Sequence, residues 1–99
     1  MSWQVIHNEV NHRFEVQLGN GTYAQLAYMR KNGSFVLTHT EVPPPWEGRG
    51  IAAELTRVAL EYARQHGLSV VPSCPYVQYY LDRHAEYQSL VSGEPGGGR

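Results

Sequence analysis

The stretch that decides the fold occupies residues 42–52 and reads Val-Pro-Pro-Pro-Trp-Glu-Gly-Arg-Gly-Ile-Ala. An apolar strand stops at the prolines, and two glycines then open into a helix, because the apolar residues that follow recur at helical spacing. The first turn of a helix has backbone N–H groups without partners, and the aligned peptide dipoles add partial positive charge there. Glycine lets an anion approach the backbone closely. The stretch therefore predicts a phosphate seat formed by the loop and the first helical turn.

Upstream of this stretch, alternating apolar and polar residues separated by turn signals predict four strands. We expect these strands at residues 5–7, 13–18, 22–30 and 34–42, with turns at residues 8–11, 19–21 and 32–33. Short turns join neighbouring antiparallel strands, so the four strands are expected to form an antiparallel meander.

Downstream, the helix is expected from about Gly50 to His66, with Gly67 as the residue after its C-terminus. Residues 68–71 predict a fifth strand, and the helical connection before it predicts parallel pairing with the fourth strand. A second short helix is expected from Pro75 to Arg83, since proline suits a first helical position and no breaker follows. The fold class is therefore α/β (α+β), with five strands and two helices.

The chain has 99 residues, 41% of them hydrophobic and 17% charged, which suits one domain with a single modest core. We expect that domain over residues 1–91, followed by a glycine-rich tail over residues 92–99 that has little to bury and is disordered. No apolar run approaches the roughly 20 residues that span a bilayer.

The charge balance and the cysteine count exclude some classes of partner. Eight Lys and Arg against nine Asp and Glu give a net charge of -1, so no general attraction for nucleic acid or an anionic membrane is expected. The histidines show no metal-ligand spacing. A single cysteine, Cys74, and an N-terminus without signal-peptide features favour a cytoplasmic protein.

The predicted order of elements, together with two short motifs, resembles the core of the GCN5-related N-acetyltransferases over residues 5–90. Residues 47–52 are similar to that family's acetyl-CoA pyrophosphate loop, Gln/Arg-x-x-Gly-x-Gly/Ala, in which Gly50 and Ala52 match and Glu47 departs. Residues 70–77 and 84–87, Val-Val-Pro-Ser-Cys-Pro-Tyr-Val and His-Ala-Glu-Tyr, look like the small single-domain acetyltransferase-like branch of the family.

The resemblance implies acetyl-CoA or CoA as the cofactor, with its pantetheine arm along the fourth strand and its pyrophosphate over the glycine loop. The implied cofactor contacts are Thr40, Val42, Glu47, Gly48, Arg49, Gly50, Ile51 and Ala52. Two departures bear on function. The turn at residues 8–11 replaces two helices that usually wall the acceptor site, and Glu47 brings a negative charge toward the pyrophosphate.

Cys74 is the candidate nucleophile or acid. It follows a parallel strand and precedes a helix, where the helix dipole favours thiolate over thiol. Ligands of open α/β sheets gather at the carboxyl ends of parallel strands, where the glycine loop also emerges. The thiol could accept an acetyl group or protonate the departing CoA thiolate. The alternative interpretation is that Cys74 has no chemical role and packs in the core as a small apolar residue.

Three tyrosines and two strand residues complete the candidates. The resemblance implies that one tyrosine of the second helix protonates the leaving CoA, with Tyr79 or Tyr80 preferred over Tyr76, while packing is the simpler explanation for all three. His39 and Glu41 share one face of the fourth strand and could deprotonate an amine through water. Ordinary exposed-face polarity is the simpler explanation of this pair.

Three functions stand open at this point. The first is an acetyltransferase that transfers the acetyl group of acetyl-CoA to an amine on an unidentified small molecule or protein. The second is a CoA or acyl-CoA binding module with little or no catalysis, which suits the reduced acceptor side. The third is a thiol redox sensor that rests on Cys74 alone and lacks a resolving cysteine.

Overall fold

A computed structural model describes residues 3–91 of the chain. Those residues form one five-stranded sheet with two α-helices and two short 3-10 turns. The elements are β1 (Ile6–Asn8), β2 (Arg13–Gly19), β3 (Thr22–Lys31), β4 (Ser34–Glu41), α1 (Ile51–Gln65), β5 (Ser69–Pro72) and α2 (Pro75–Arg83), with 3-10 turns at Pro44–Trp46 and Ala85–Leu90. The tail predicted to be disordered lies outside the described residues.

The sheet confirms the predicted fold class and topology. Strands β1 to β4 pair antiparallel in chain order, and β5 pairs parallel with β4 after the crossover through α1. The parallel pairing runs only from Ser34 opposite Ser69 to Leu37 opposite Pro72. The second half of β4 therefore continues without β5 beside it, and the two strands part at this point.

Seven predicted strand boundaries are wrong by one residue, namely both ends of β1 and β5 and the last residues of β2, β3 and β4. β1 begins at Ile6 rather than at residue 5, and β4 ends at Glu41. β5 begins at Ser69 because the Leu68 amide still donates to the Ala63 carbonyl at 2.9 Å, closing the end of α1. That closing contact uses Gly67 at a φ of 65°, which confirms the predicted glycine after the helix.

Helix α1 packs its apolar face on the sheet. It follows Gly50 and ends at Gln65, close to the predicted bounds. Its buried apolar residues recur three or four apart, as an amphipathic helix requires; they are Ile51, Leu55, Ala59, Leu60 and Ala63. They meet the buried faces of β2 and β3, so the first turn of α1 is fixed directly beside the end of β4.

A β-bulge in β4 decides which side chains face the helices. Ala27 pairs with His39 and Tyr28 pairs with Leu37, so Thr38 is an extra residue in β4. Leu37 and Thr40 are three residues apart and would face opposite sides of a regular strand. The bulge places both on the helix-covered side, where Thr40 contacts Cys74. His39 and Glu41 consequently lie on the opposite face.

Candidate functional site

A cleft of about 350 Å³ opens where β4 and β5 part. We call it the first cleft. It is lined by Thr40, Val42, Trp46, Glu47, Gly48, Gly50, Ile51, Ala52, Ala53 and Tyr76. The cleft therefore brings together the carboxyl end of β4, the glycine loop, the first turn of α1 and the start of α2. Seven of the eight residues with an implied cofactor contact line it, and Arg49 does not.

The backbone of the glycine loop is shaped to receive an anion. Gly48 and Gly50 have φ values of 79° and 84°, a left-handed conformation that favours glycine. Gly50 precedes α1, and no side chain caps that helix. Within residues 3–91, no hydrogen-bond acceptor takes the amide N–H groups of residues 48–53. These amides and the α1 dipole give the cleft local positive character despite the net negative charge of the chain.

Two tryptophans pack beside the glycine loop. The Trp46 ring lines the cleft, and the Arg49 guanidinium carbon lies 5.1 Å from its centroid. The Trp3 ring meets Trp46 edge-on at 6.1 Å, and the Trp3 indole N–H donates to the Arg49 carbonyl at 3.0 Å. Sequence reasoning missed both tryptophans. An aromatic residue between the prolines and the glycines was the available signal for Trp46, whereas nothing local indicates the role of Trp3.

Cys74 lies beneath the wall of the cleft and does not line it. The residue is 3% exposed and stands directly before α2. Its sulfur lies 3.2 Å from the Thr40 hydroxyl oxygen, and its amide donates to the Leu37 carbonyl at 2.9 Å. Thr40 itself lines the cleft, so the thiol contacts a residue of the cleft wall and does not reach the glycine loop directly.

The three tyrosines of α2 point in different directions. Tyr76 lines the first cleft, and burial raises the pKa of its phenol. Tyr79 is half exposed, with the Arg83 guanidinium carbon 4.0 Å from its ring centroid. Tyr80 is buried and stacks on His84 at 3.8 Å. Neither of the two preferred tyrosines lines the cleft, and Tyr76 does.

Glu41 belongs to a different cavity. A second cleft of about 410 Å³ is lined by Gly21, Thr22, Tyr23, Gln25, Glu41, Val42, Pro43 and Pro44. There the Gln25 amide donates to the Glu41 carboxylate at 3.2 Å, and the exposed His39 ring lies 3.7 Å from the same oxygen. His39 and Glu41 are therefore adjacent, as predicted, but on the far side of β4 from Cys74.

Two negative findings hold for the part of the chain that the structure describes. Residues 3–91 contain no group of three or more His, Cys, Asp or Glu side chains arranged to hold a metal ion. Within the same range, neither helix is both long and apolar enough to cross a membrane.

Comparison with known proteins identifies the family. The family model of the GCN5-related N-acetyl-transferases matches residues 13–90. Protein NATD1 from Gallus gallus is 36% identical over 93% of this chain and 86% of its own length, and Protein NATD1 from Homo sapiens is 35% identical over 93% and 83%. A GCN5-like protein from Staphylococcus aureus, solved by NMR, shares the fold with a TM-score of 0.74 at 21% identity, over 98% of this chain and 95% of the other. The chain belongs to the GCN5-related N-acetyltransferase family.

Proposed function

We propose that this protein is an acetyltransferase that takes the acetyl group from acetyl-CoA and delivers it to an amine. The observation that carries the proposal is the run of amide N–H groups at residues 48–53, which face no acceptor among the described residues and border the first cleft. Free amides at a helix N-terminus bind phosphate groups, and CoA carries a diphosphate. Family membership supports the same chemistry.

The first cleft fits the donor in two further respects. Beyond Leu37, β4 has no β5 partner, so its backbone between Thr40 and Val42 is free on that side to pair with the amides of a pantetheine arm. The Trp46 ring at the rim offers an apolar surface beside the loop. Glu47 does not suit this donor, because it lines the same cleft and its negative charge repels the negatively charged diphosphate.

The reaction needs a base, an acid and a positioned thioester. The amine attacks the thioester carbonyl, a C–N bond forms, the C–S bond breaks, and the sulfur leaves as a thiol after it receives a proton. Tyr76 is the candidate that donates that proton, since it is the tyrosine of α2 that lines the first cleft. Glu41, assisted by His39, is the candidate that takes the proton of the amine.

Cys74 has two possible parts in this scheme. As a nucleophile it would carry the acetyl group transiently as a thioester, which requires the buried sulfur to reach the cleft past Thr40. As a positioning residue it holds the Thr40 hydroxyl at the cleft wall.

The single free thiol of the protein suits a reducing compartment, so we propose a cytoplasmic location.

One observation favours a second candidate, a CoA or acyl-CoA binding module. The connection between β1 and β2 is a short turn, so no helix inserted there walls the acceptor side. A binding module would use the first cleft in the same way but would lack amine transfer.

Calorimetry and a transfer assay separate these candidates. Titration with CoA and acetyl-CoA is expected to show binding to the wild-type protein, and no binding to either would refute both candidates. Release of CoA that depends on an added amine supports the transferase, whereas binding without transfer to any of a broad amine panel supports the binding module.

Mass spectrometry decides the part played by Cys74. After incubation with acetyl-CoA, an acetyl group on wild-type protein that is labile to hydroxylamine, and absent from Cys74→Ser, marks the thioester. Full transfer activity in Cys74→Ala would show that the thiol is not a nucleophile in the reaction.

A further inference from the structure

We infer that residues 3–8, which we call the strap, hold the glycine loop in its anion-binding shape, and that protonation of His7 releases the strap. Release of the strap weakens acetyl-CoA binding in acid, so this part of the inference rests on the proposed function. The strap itself lies outside both clefts.

The strap begins beside the glycine loop and continues into β1. Three antiparallel pairings separate β1 from β4, so the residues before β1 lie at the end of the sheet where the first cleft opens. There the Trp3 indole N–H donates to the Arg49 carbonyl at 3.0 Å, and the Trp3 ring meets Trp46. His7 follows four residues later, about 13 Å along an extended chain. A change at His7 therefore reaches the loop through the strap.

The strap is an edge segment that can detach while the rest of the sheet stays folded. β1 has three residues, and β2 is its single partner strand within residues 3–91. Short segments with few buried contacts open locally, at a fraction of the global free energy of unfolding. Loss of favourable packing at one side chain of β1 is therefore enough to favour the detached strap.

His7 attaches β1 to the core through contacts that suit a neutral ring. Its ring stacks on Phe14 at 4.2 Å and meets Tyr62 edge-on at 4.6 Å. Its Nε2 atom lies 2.7 Å from the Tyr28 hydroxyl, and its Nδ1 atom lies 3.8 Å from the Glu9 carboxylate. The carboxylate favours the tautomer with its proton on Nδ1, so Nε2 accepts the hydroxyl hydrogen of Tyr28. Tyr28 is buried, and among the described residues its hydroxyl has no other hydrogen-bond partner.

Protonation of His7 disrupts this arrangement. A charged imidazole donates from both nitrogens, so the Tyr28 hydroxyl hydrogen loses its acceptor in a buried position. Burial lowers the pKa of His7, and the exposed Glu9 carboxylate raises it by less. The charges of His66 and Arg30 lower this pKa further. The other ionisable groups around the ring are Tyr28 from β3, Tyr62 from α1 and His12 from the turn before β2, whereas β2 presents the apolar Phe14.

The direction of the pH effect follows from the lowered pKa. In the detached strap His7 has its usual pKa of 6.5, so the detached form takes up a proton that the attached form excludes. The attached strap keeps its full stability above pH 6.5 and loses stability as pH falls below that value. Because one proton is involved, the detached fraction increases by at most about tenfold between roughly pH 7.5 and pH 5.5.

The test follows hydrogen exchange of the Trp3 indole N–H in ¹⁵N-labelled full-length protein without ligand. The chain has two tryptophans, so Trp3→Phe assigns the two indole signals. Exchange is measured by NMR between about pH 7.5 and pH 5.5, relative to N-acetyltryptophanamide at the same pH, which removes the intrinsic pH dependence. We expect protection of the Trp3 indole to fall as pH drops below 6.5, by at most about tenfold. Protection that stays constant over this range would overturn the inference in the wild type alone.

Two substitutions at His7 test the titrating group. His7→Gln keeps an acceptor for the Tyr28 hydroxyl, and His7→Phe keeps the stacking on Phe14. Both are expected to abolish the fall in protection. His12→Asn is the matched control, since it removes an exposed histidine at the same end of the sheet, and asparagine tolerates its φ of 55°. It is expected to behave as the wild type does. A fall in protection that persists in the His7 variants, or that vanishes in His12→Asn, would contradict the role of His7.

Calorimetry with acetyl-CoA at the two ends of the pH range tests the link to the glycine loop. Titration of the cofactor phosphates affects every variant equally, so the comparison is between proteins. From high to low pH the wild type is expected to lose up to about threefold more affinity than His7→Gln, the factor set by the Trp3 hydrogen bond. An equal loss in the two proteins would overturn the link. If the wild type bound no acetyl-CoA at either pH, the proposed function would be refuted, while indole exchange would still decide whether His7 releases the strap.

Discussion

Replacing Gly50 by alanine tests the phosphate seat most directly. Gly50 has a φ of 84°, and a Cβ added there meets nothing within 4 Å. The substitution therefore creates no clash in the free protein and acts through backbone strain. A left-handed L-residue costs about 1–2 kcal/mol. In a domain of this size, each kcal/mol lowers the melting temperature by roughly 4–8 °C.

The same substitution has a larger consequence for binding. A methyl group on Gly50 stands beside amides that are proposed to receive a diphosphate, and it keeps the anion away from them. A hydrogen bond to a charged group is worth about 1.5–3 kcal/mol. Loss of one such bond is expected to weaken acetyl-CoA binding by about tenfold or more.

Gly33 provides the matched control. It has the same φ of 84°, and its Cβ position is equally open. It lies in the turn between β3 and β4, at the opposite end of β4 from the first cleft. Gly33→Ala is therefore expected to lower the melting temperature like Gly50→Ala, with unchanged affinity for acetyl-CoA. Thermal unfolding and calorimetry on both variants measure the two effects. If Gly50→Ala binds acetyl-CoA as tightly as Gly33→Ala, the phosphate-seat argument is refuted.

Three further predictions concern aromatic residues. Tyr76→Phe is expected to lower acetyl transfer by about 10²-fold with unchanged acetyl-CoA affinity, while Tyr79→Phe, outside the first cleft, leaves both unchanged; equal loss in the two variants contradicts an acid role for Tyr76. Burial and a hydrogen bond to a carboxylate raise the pKa of Tyr87 from 10.0 to about 12, so its stabilising contribution is complete below pH 10 and is lost as pH rises toward 12. Chemical denaturation at a series of pH values between 10 and 12 measures the free energy of unfolding. We expect this free energy to fall less steeply with pH in Tyr87→Phe than in the wild type, and an equal slope in the two proteins argues against the raised pKa. Trp3→Phe removes the hydrogen bond to the Arg49 carbonyl and is expected to weaken acetyl-CoA binding by about threefold in calorimetry; wild-type affinity would show that the loop holds its own shape.

Much of the fold was accessible from the sequence because its signals are local. Alternating residues in β2, the turn glycines, the proline stop after residue 42 and the helical spacing of α1 each depend on a few consecutive residues. The parallel placement of β5 also followed, since a helical crossover leaves few other arrangements. The glycine loop could be located for the same reason, and its residues line the first cleft apart from Arg49.

The tertiary structure decided which side chains reach the cleft. Helical spacing groups Tyr76, Tyr79 and Tyr80 on α2 without saying which of them faces β4, and only packing selects Tyr76. The alternation of residues along a strand does not reveal the bulge at Thr38. The bulge nevertheless places Thr40 on the side of the sheet where it contacts the thiol.

The sequence by itself determined the order of elements, the helix N-terminus after Gly50 and the family resemblance, because backbone preference and periodicity are properties of short segments. Only the tertiary structure decided that Arg49 stacks on Trp46, that Trp3 holds the loop and that Glu41 faces a cavity of its own. These are contacts between residues distant along the chain, or choices among rotamers of long side chains. Both are settled by packing and not by local pattern.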